Sequence, residues 1–118
     1  MTAKELNLKL ITAFPELKAC YDEETSWQEG DDTGSHVVFG DVLKPYLLKN
    51  IYVKNTSVVG DILSFLEEIL SLNDLYADEV VAFSVFEGII DEEIDMLFIE
   101  AMLGSLSKKV WDELKGTL

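Results

Sequence analysis

Carboxylates are the only side chains abundant enough in this 118-residue sequence to define its chemistry, with 23 Asp and Glu against nine bases, one histidine and one cysteine. A general acid or base needs an environment that separates its pKa from its neighbour's, and runs such as Asp22-Glu23-Glu24 and Asp91-Glu92-Glu93 have the character of hydrated surface instead. His36 and Cys20 are singletons, one near a loop edge and one within a helical pattern. Their spacing supports neither a zinc-type ligand set nor a Cys-His nucleophilic pair. Neither acidic stretch reproduces the alternating oxygen ligands, glycine and terminal glutamate of a calcium loop. No glycine is followed by the Lys-Ser/Thr pair of a phosphate-cradling loop. The expectation is a protein with no catalytic residues, no metal site and no cofactor. Cys20 reads as an inert, half-buried thiol, and His36 as a capping or solvent-facing residue at the start of a helix.

Charge is the more informative property. The formal net charge is −14, whereas a small domain is kept soluble by a magnitude of ~2 to 8, and like-charge repulsion costs stability. All the bases are lysines. The absence of arginine together with this charge argues against nucleic acid as a partner, and anionic membrane surfaces are disfavoured for the same reason. Residues 55–107 carry twelve acids and no base, and residues 22–34 carry six acids and no base. Such one-signed regions attract cationic partners and speed their encounter. The candidate partner-binding residues are Asp22, Glu23, Glu24, Glu29, Asp31 and Asp32 in the first region, with Asp91, Glu92, Glu93 and Asp95 in the second. Trp27 lies amid the first and is a candidate anchor, because interface energy concentrates in a few desolvated aromatic residues. The alternative is that Trp27 folds back to cover the core. An acidic or halophilic proteome is the bland explanation of the charge.

The elements that would position these residues are helical. Thr2 and Glu5 have the spacing of a capping box, and Leu6, Leu10, Ala13, Phe14, Leu17 and Tyr21 follow at steps of three or four. Pro15 divides that stripe into helices over roughly 3–13 and 15–25. The polar stretch 26–35 reads as the longest exposed loop. A helical pattern resumes from Val38 to Ile51, bent near Pro45, and Asn55, Thr56 or Ser57 caps a strongly amphipathic helix containing Ile62, Phe65, Leu66, Ile69 and Leu70. Residues 78–90 are apolar nearly all round, which predicts the most central element; a buried strand over Val80 to Phe86 is the alternative to helix. Asp91, Glu92 and Glu93 are expected to open a helix with Ile94, Leu97, Phe98, Ala101 and Met102 on its buried side, ended by Gly104. Ser105 then caps a last helix with Leu106, Val110 and Leu114 on one face, Trp111 beside them and Gly116 as its stop.

The fold class is therefore all-α: a single domain over residues 1–118, an antiparallel bundle of six or seven short helices, with HEAT-like stacked pairs as a variant. With 48% hydrophobic residues the chain can bury a core. No apolar run is long enough to span a bilayer, and residues 1–10 lack the layout of a secretion signal, so a soluble, cytoplasmic protein is expected.

The stretches HVVFGDVLKPYLLKNI (His36 to Ile51) and VVAFSVFEGIID (Val80 to Asp91) resemble segments of small helical bacterial proteins. In size and charge the whole set is similar to immunity proteins of bacterial toxin systems, including those of contact-dependent growth inhibition. The likeness runs from about Ile11 onward and consists of hydrophobic packing patterns. It implies a cytoplasmic inhibitor that neutralises one cognate toxin domain, often a nuclease, by covering its active site or an essential surface, and it supplies no catalytic residues. Its partner would be that basic domain, and the free chain a monomer or weak dimer. A helical adaptor that binds a basic partner without inhibiting it is the second reading.

Overall fold

In the computed structural model, which describes residues 1–117, every regular element among the described residues is helical. Helix α1 (Ala3–Ala13) opens on the capping box: the Glu5 N–H donates to Thr2 Oγ1 and the Thr2 N–H to Glu5 Oε1, each at 3.1 Å. Helix α2 covers 15–25, a 3₁₀ turn at Pro15–Leu17 running into Lys18–Thr25, with the proline in the first turn where its missing N–H does no harm. After the acidic loop, α3 covers 35–52 as Ser35–Val38, a wider π stretch Phe39–Leu43, and Lys44–Tyr52. The Lys44 N–H reaches back five residues to the Phe39 carbonyl. The helix thus accommodates Pro45 by widening its turn just before it.

Asn55 caps α4 (Thr56–Leu70), its side chain accepting from the Val58 N–H at 3.3 Å. Asp74 caps α5, which covers 75–90 as Leu75–Glu79, a π stretch Val80–Phe86, and Glu87–Ile90. The segment that admitted a strand is helix, because its length and neighbours allow it to be buried on several sides at once. Val80, Val81, Ala82, Val85, Phe86 and Ile89 are all buried. Helix α5 packs against α3, α4 and α7, so it is the centre of the molecule. Phe86 meets Trp111 of α7 edge to face at 5.5 Å, and Phe65 of α4 meets both Phe14 (5.4 Å) and Phe39 (6.4 Å). The radius of gyration is 13.4 Å.

The C-terminal third departs from the sequence reading. Asp91, Glu92 and Glu93 do not open a helix; they form the exposed turn that ends α5, and Asp95 caps the short α6 (Met96–Glu100) by accepting from the Phe98 N–H at 3.1 Å. A helix so short offers the core one position, and that position is Ile99. Leu97, expected inside, is 80% exposed, Ala101 is exposed, and Ile94, Phe98 and Met102 are half-buried. Helix α7 (Ser105–Thr117) buries Ser107, Trp111 and Leu114, leaves Leu106 exposed, and continues through Gly116. Cys20 is exposed on α2, not half-buried.

The start of α7 is held from outside its own sequence. Glu67 of α4 accepts from the N–H of Ser107 (2.8 Å), the hydroxyl of Ser107 (2.7 Å) and the N–H of Leu106 (3.0 Å). Its carboxylate does for α7 what a local cap does for other helices, satisfying orphan donors and placing negative charge at the positive end of the dipole. Burial alone would push the Glu67 carboxyl up, but these hydrogen bonds outweigh it and hold the pKa below the usual value. Gly104 makes room, since a Cβ there would run into the Glu67 carboxyl group.

Two substitutions test this clamp. Glu67→Ala is expected to cost about 1–3 kcal/mol in chemical denaturation. Gly104→Ala should cost a similar order by displacing the same carboxylate, and the double variant should fall well short of the sum. Because the Glu67 pKa is depressed in the fold, its contribution is present above the unfolded-state pKa and disappears as pH falls through the folded value. The gap between wild type and Glu67→Ala should therefore narrow on acidification; a gap that widened would contradict the clamp.

Candidate functional site

The acidic loop between α2 and α3 is fastened by one buried amide. Asn7 of α1 is fully buried, and its Nδ2 donates to the carbonyls of Asp31 (3.0 Å) and Thr33 (2.7 Å), while its Oδ1 accepts from the Ser35 hydroxyl at 2.8 Å. The Ser35 N–H in turn donates to the Tyr76 hydroxyl of α5 at 2.8 Å. Thr33 closes the loop on itself, its hydroxyl donating to the Gly30 carbonyl (2.6 Å) and accepting from the Glu29 N–H (3.1 Å). Gly30 takes φ +59°, a left-handed conformation that glycine adopts without strain. Every polar group of this buried node is satisfied, so the loop is a fixed protrusion.

On that protrusion Trp27 is 79% exposed, the largest apolar surface of the loop and turned away from the core. Glu29, Asp31 and Asp32 are exposed on the same loop, Asp22 and Glu23 are exposed at the end of α2 that leads into it, and Glu24 there is half-buried. Asp22 is ion-paired with Lys18 one turn away, and Asp31 accepts from the Tyr21 hydroxyl at 2.7 Å. Glu23, Glu29 and Asp32 have carboxylates with no hydrogen bond or ion pair among the described residues. Glu24 faces Asp41 of α3: a hydrogen bond between the two carboxyl groups, then lost hydration, then their repulsion raise its pKa.

The second acidic group sits at the other end of α5. Asp91, Glu92 and Glu93 are exposed in the turn, whereas Asp95 is engaged twice, by its cap bond and by a 2.8 Å ion pair with Lys54. These contacts hold the Asp95 pKa down. Lys54 takes φ 54° at the end of α3, a position usually given to glycine, and also lies 5.6 Å from the Phe98 ring centroid. A region with no base in sequence thus receives one across the fold. Tyr52 and Val53, adjoining Lys54, and Leu97, adjoining Phe98, are large apolar residues left exposed beside these acids. Their helical spacing gave no signal of that exposure; Tyr52 and Val53 follow the last apolar position of the α3 stripe, where a helix end allows either outcome.

Other chemistry is sparse. His36 Nδ1 bonds Ser84 Oγ, and its ring packs edge to face on Tyr76, so it ties α3 to α5. The Cys20 thiol is pushed up by partial burial and by Glu23 and Glu24, away from the reactive thiolate. Among the described residues no group of His, Cys, Asp and Glu is arranged to hold a metal ion, and no helix is long and apolar enough to cross a membrane.

An all-helical domain with two exposed acidic surfaces is the class these features define. The chain belongs to the DUF7674 family, described as a domain of unknown function, which matches residues 7–117. No curated protein and no solved structure matches it.

Two measurements probe the loop's construction. Asn7→Ala removes the amide from two carbonyls and a hydroxyl and is expected to cost roughly 1–3 kcal/mol, with faster amide exchange confined mainly to residues 28–35. Unchanged exchange there would mean the loop holds itself. For Glu24 the folded pKa is raised, so the pair favours folding below the unfolded-state pKa and loses that advantage as pH rises through the folded value. Glu24→Gln should therefore raise the melting temperature at neutral pH, and the benefit should shrink on acidification.

Proposed function

We propose that this chain is a stoichiometric inhibitor of the immunity type, which binds and neutralises a cognate toxin domain with a basic surface, acting in the cytoplasm and without catalytic residues of its own. The observation that carries this reading is Trp27, 79% exposed on a loop that Asn7 fastens to α1 and that carries Glu29, Asp31 and Asp32, directly after the Asp22-Glu23-Glu24 run at the end of α2, with no base in residues 22–34. An aromatic side chain left in water on a rigid support pays little ordering entropy when it docks, which is what an interface anchor requires. A nuclease is the favoured target class, because it must present a cationic cleft to phosphates, and exposed carboxylates can occupy that cleft by imitating the charge of its substrate. Steering between opposite potentials raises association rates toward ~10⁸–10⁹ M⁻¹s⁻¹, and speed matters to an inhibitor that must arrive before damage is done. The turn Asp91-Glu92-Glu93, beside exposed Leu97, offers a second surface of the same character.

Co-expression with the product of the neighbouring gene, which is expected to bear a toxin domain, tests inhibition and is read as growth. The variant Asp22→Asn, Glu23→Gln, Glu29→Gln, Asp32→Asn is expected to associate about tenfold or more slowly at low salt, with a flatter salt dependence. Trp27→Ala should weaken the complex by about 30-fold, mainly through faster dissociation. Wild-type kinetics in both variants would remove this loop from the interface. A complex that forms without protecting growth would select the helical adaptor instead.

A further inference from the structure

A long hollow runs between α1 and α4, on a surface that the acidic loop does not occupy. Its larger part encloses about 550 Å³, and a second part of about 450 Å³ continues it, with Ala13 and Phe65 lining both. The walls rise at one-turn steps: Glu5, Leu8 and Thr12 along α1, and Phe65, Ile69 and Leu72 along α4 and the turn after it. Because the beginning of α1 stands beside the end of α4, the two walls run in opposite directions. Two such helical surfaces side by side form the seat that a third helix fills in a bundle. The floor of the first part is apolar, with Phe65 and Ile69 buried, and its lips are Leu8 at 40% and Leu72 at 47% exposure; the second part is more polar, bordered by Glu16, Asp61, Ser64 and Glu68.

We propose that this groove docks a cationic amphipathic helix supplied by a partner protein. Its form suits a helix laid lengthwise, with apolar side chains at positions i, i+3 or i+4, and i+7 entering between Leu8 and Leu72. From Val58 to Leu70 the groove follows about 13 residues of α4, a length of about 20 Å, and Leu72 in the turn extends it. Charge selects the occupant. Glu5 and Glu68 border the first part, Glu16 and Asp61 the second, and Lys9 is the one base among the lining residues. Lysines flanking an apolar stripe would meet those carboxylates. A second copy of this chain, at a net charge of −14, would bring like rims together. The inference rests on the reading of the chain as a protein-binding domain, but it uses neither Trp27 nor the acidic loop.

The test is a labelled 15-residue peptide of leucine at helical spacing with lysine elsewhere, titrated with the full chain and followed by fluorescence anisotropy. Expected are saturable one-to-one binding and at least tenfold weaker binding of a peptide of the same composition whose leucines are permuted off the helical period. The variant Leu8→Ser, Leu72→Ser, checked for native circular dichroism, should bind at least tenfold more weakly, while Trp27→Ala should bind as wild type. In a parallel titration the methyl resonances of Leu8, Ile69 and Leu72 should move; this readout needs no substitution. Equal binding of both peptides would reduce the effect to charge alone and overturn the proposal. So would an unaffected Leu8→Ser, Leu72→Ser variant, methyl shifts located elsewhere, or a free chain that already dimerises through this face. Failure of the toxin assay with these peptide results intact would remove the inhibitor reading and leave the groove standing.

Discussion

Burying one helix on several sides is the constraint from which the other positions follow. Helix α5 carries apolar residues at Val80, Val81, Ala82, Val85, Phe86 and Ile89, more than one face of a regular helix can hide against a single neighbour. The fold answers by packing α3, α4 and α7 around it. The aromatic contacts show how this is done: Phe86 of α5 meets Trp111 of α7, while Phe65 of α4 joins Phe39 of α3 and Phe14, tying the surrounding helices to one another. Once those helices are committed inward, their outer faces and connecting turns must carry the polar residues. That is where the acids lie.

Negative charge and rigidity then work together. Repulsion among the carboxylates at −14 opposes compactness, and a flexible acidic segment would relieve it by spreading into solvent. The Asn7 amide prevents that for the first acidic region by binding two loop carbonyls from inside the protein, where hydrogen bonds are strong and their loss is costly. In the second region Lys54 lowers the local repulsion by reaching Asp95, at the expense of a left-handed backbone that lysine adopts reluctantly. Both arrangements hold carboxylates in place, and both leave large apolar side chains exposed beside them.

What was legible in the sequence was local. The capping box of Thr2 and Glu5, the helix start at Pro15, a cap within Asn55 to Ser57 and the apolar face of α4 each rest on residues spaced within four positions of one another, so spacing reveals them, and the structure gives the cap to Asn55. The central place of Val80 to Phe86 was legible because no surface helix could be so apolar. The run Asp91-Glu92-Glu93 misled because acids suit the start of a helix and equally suit an exposed turn after one; the cap belonged to Asp95, whose side chain has Phe98 within reach. Asn7 to Thr33, Lys54 to Asp95 and Glu67 to Ser107 join residues far apart in the chain, and a single sequence carries no mark of such pairs. The exposure of Trp27 and the groove beside Leu8 depend on how helices lie against each other, which periodicity does not encode.

The clamp between Glu67 and Ser107 bridges 40 residues, and it reverses the usual relation between a helix and its own beginning. Helix α7 is completed by a carboxylate 40 residues ahead of its Ser107, so Glu67 lacks these three donors until α7 is in place. A polypeptide halted before Ser105 would leave Glu67 to water and Phe86 without its Trp111 partner. Such a product would be poorly packed on the very helix that organises everything else, so docking of α7 closes the side of α5 that Trp111 covers.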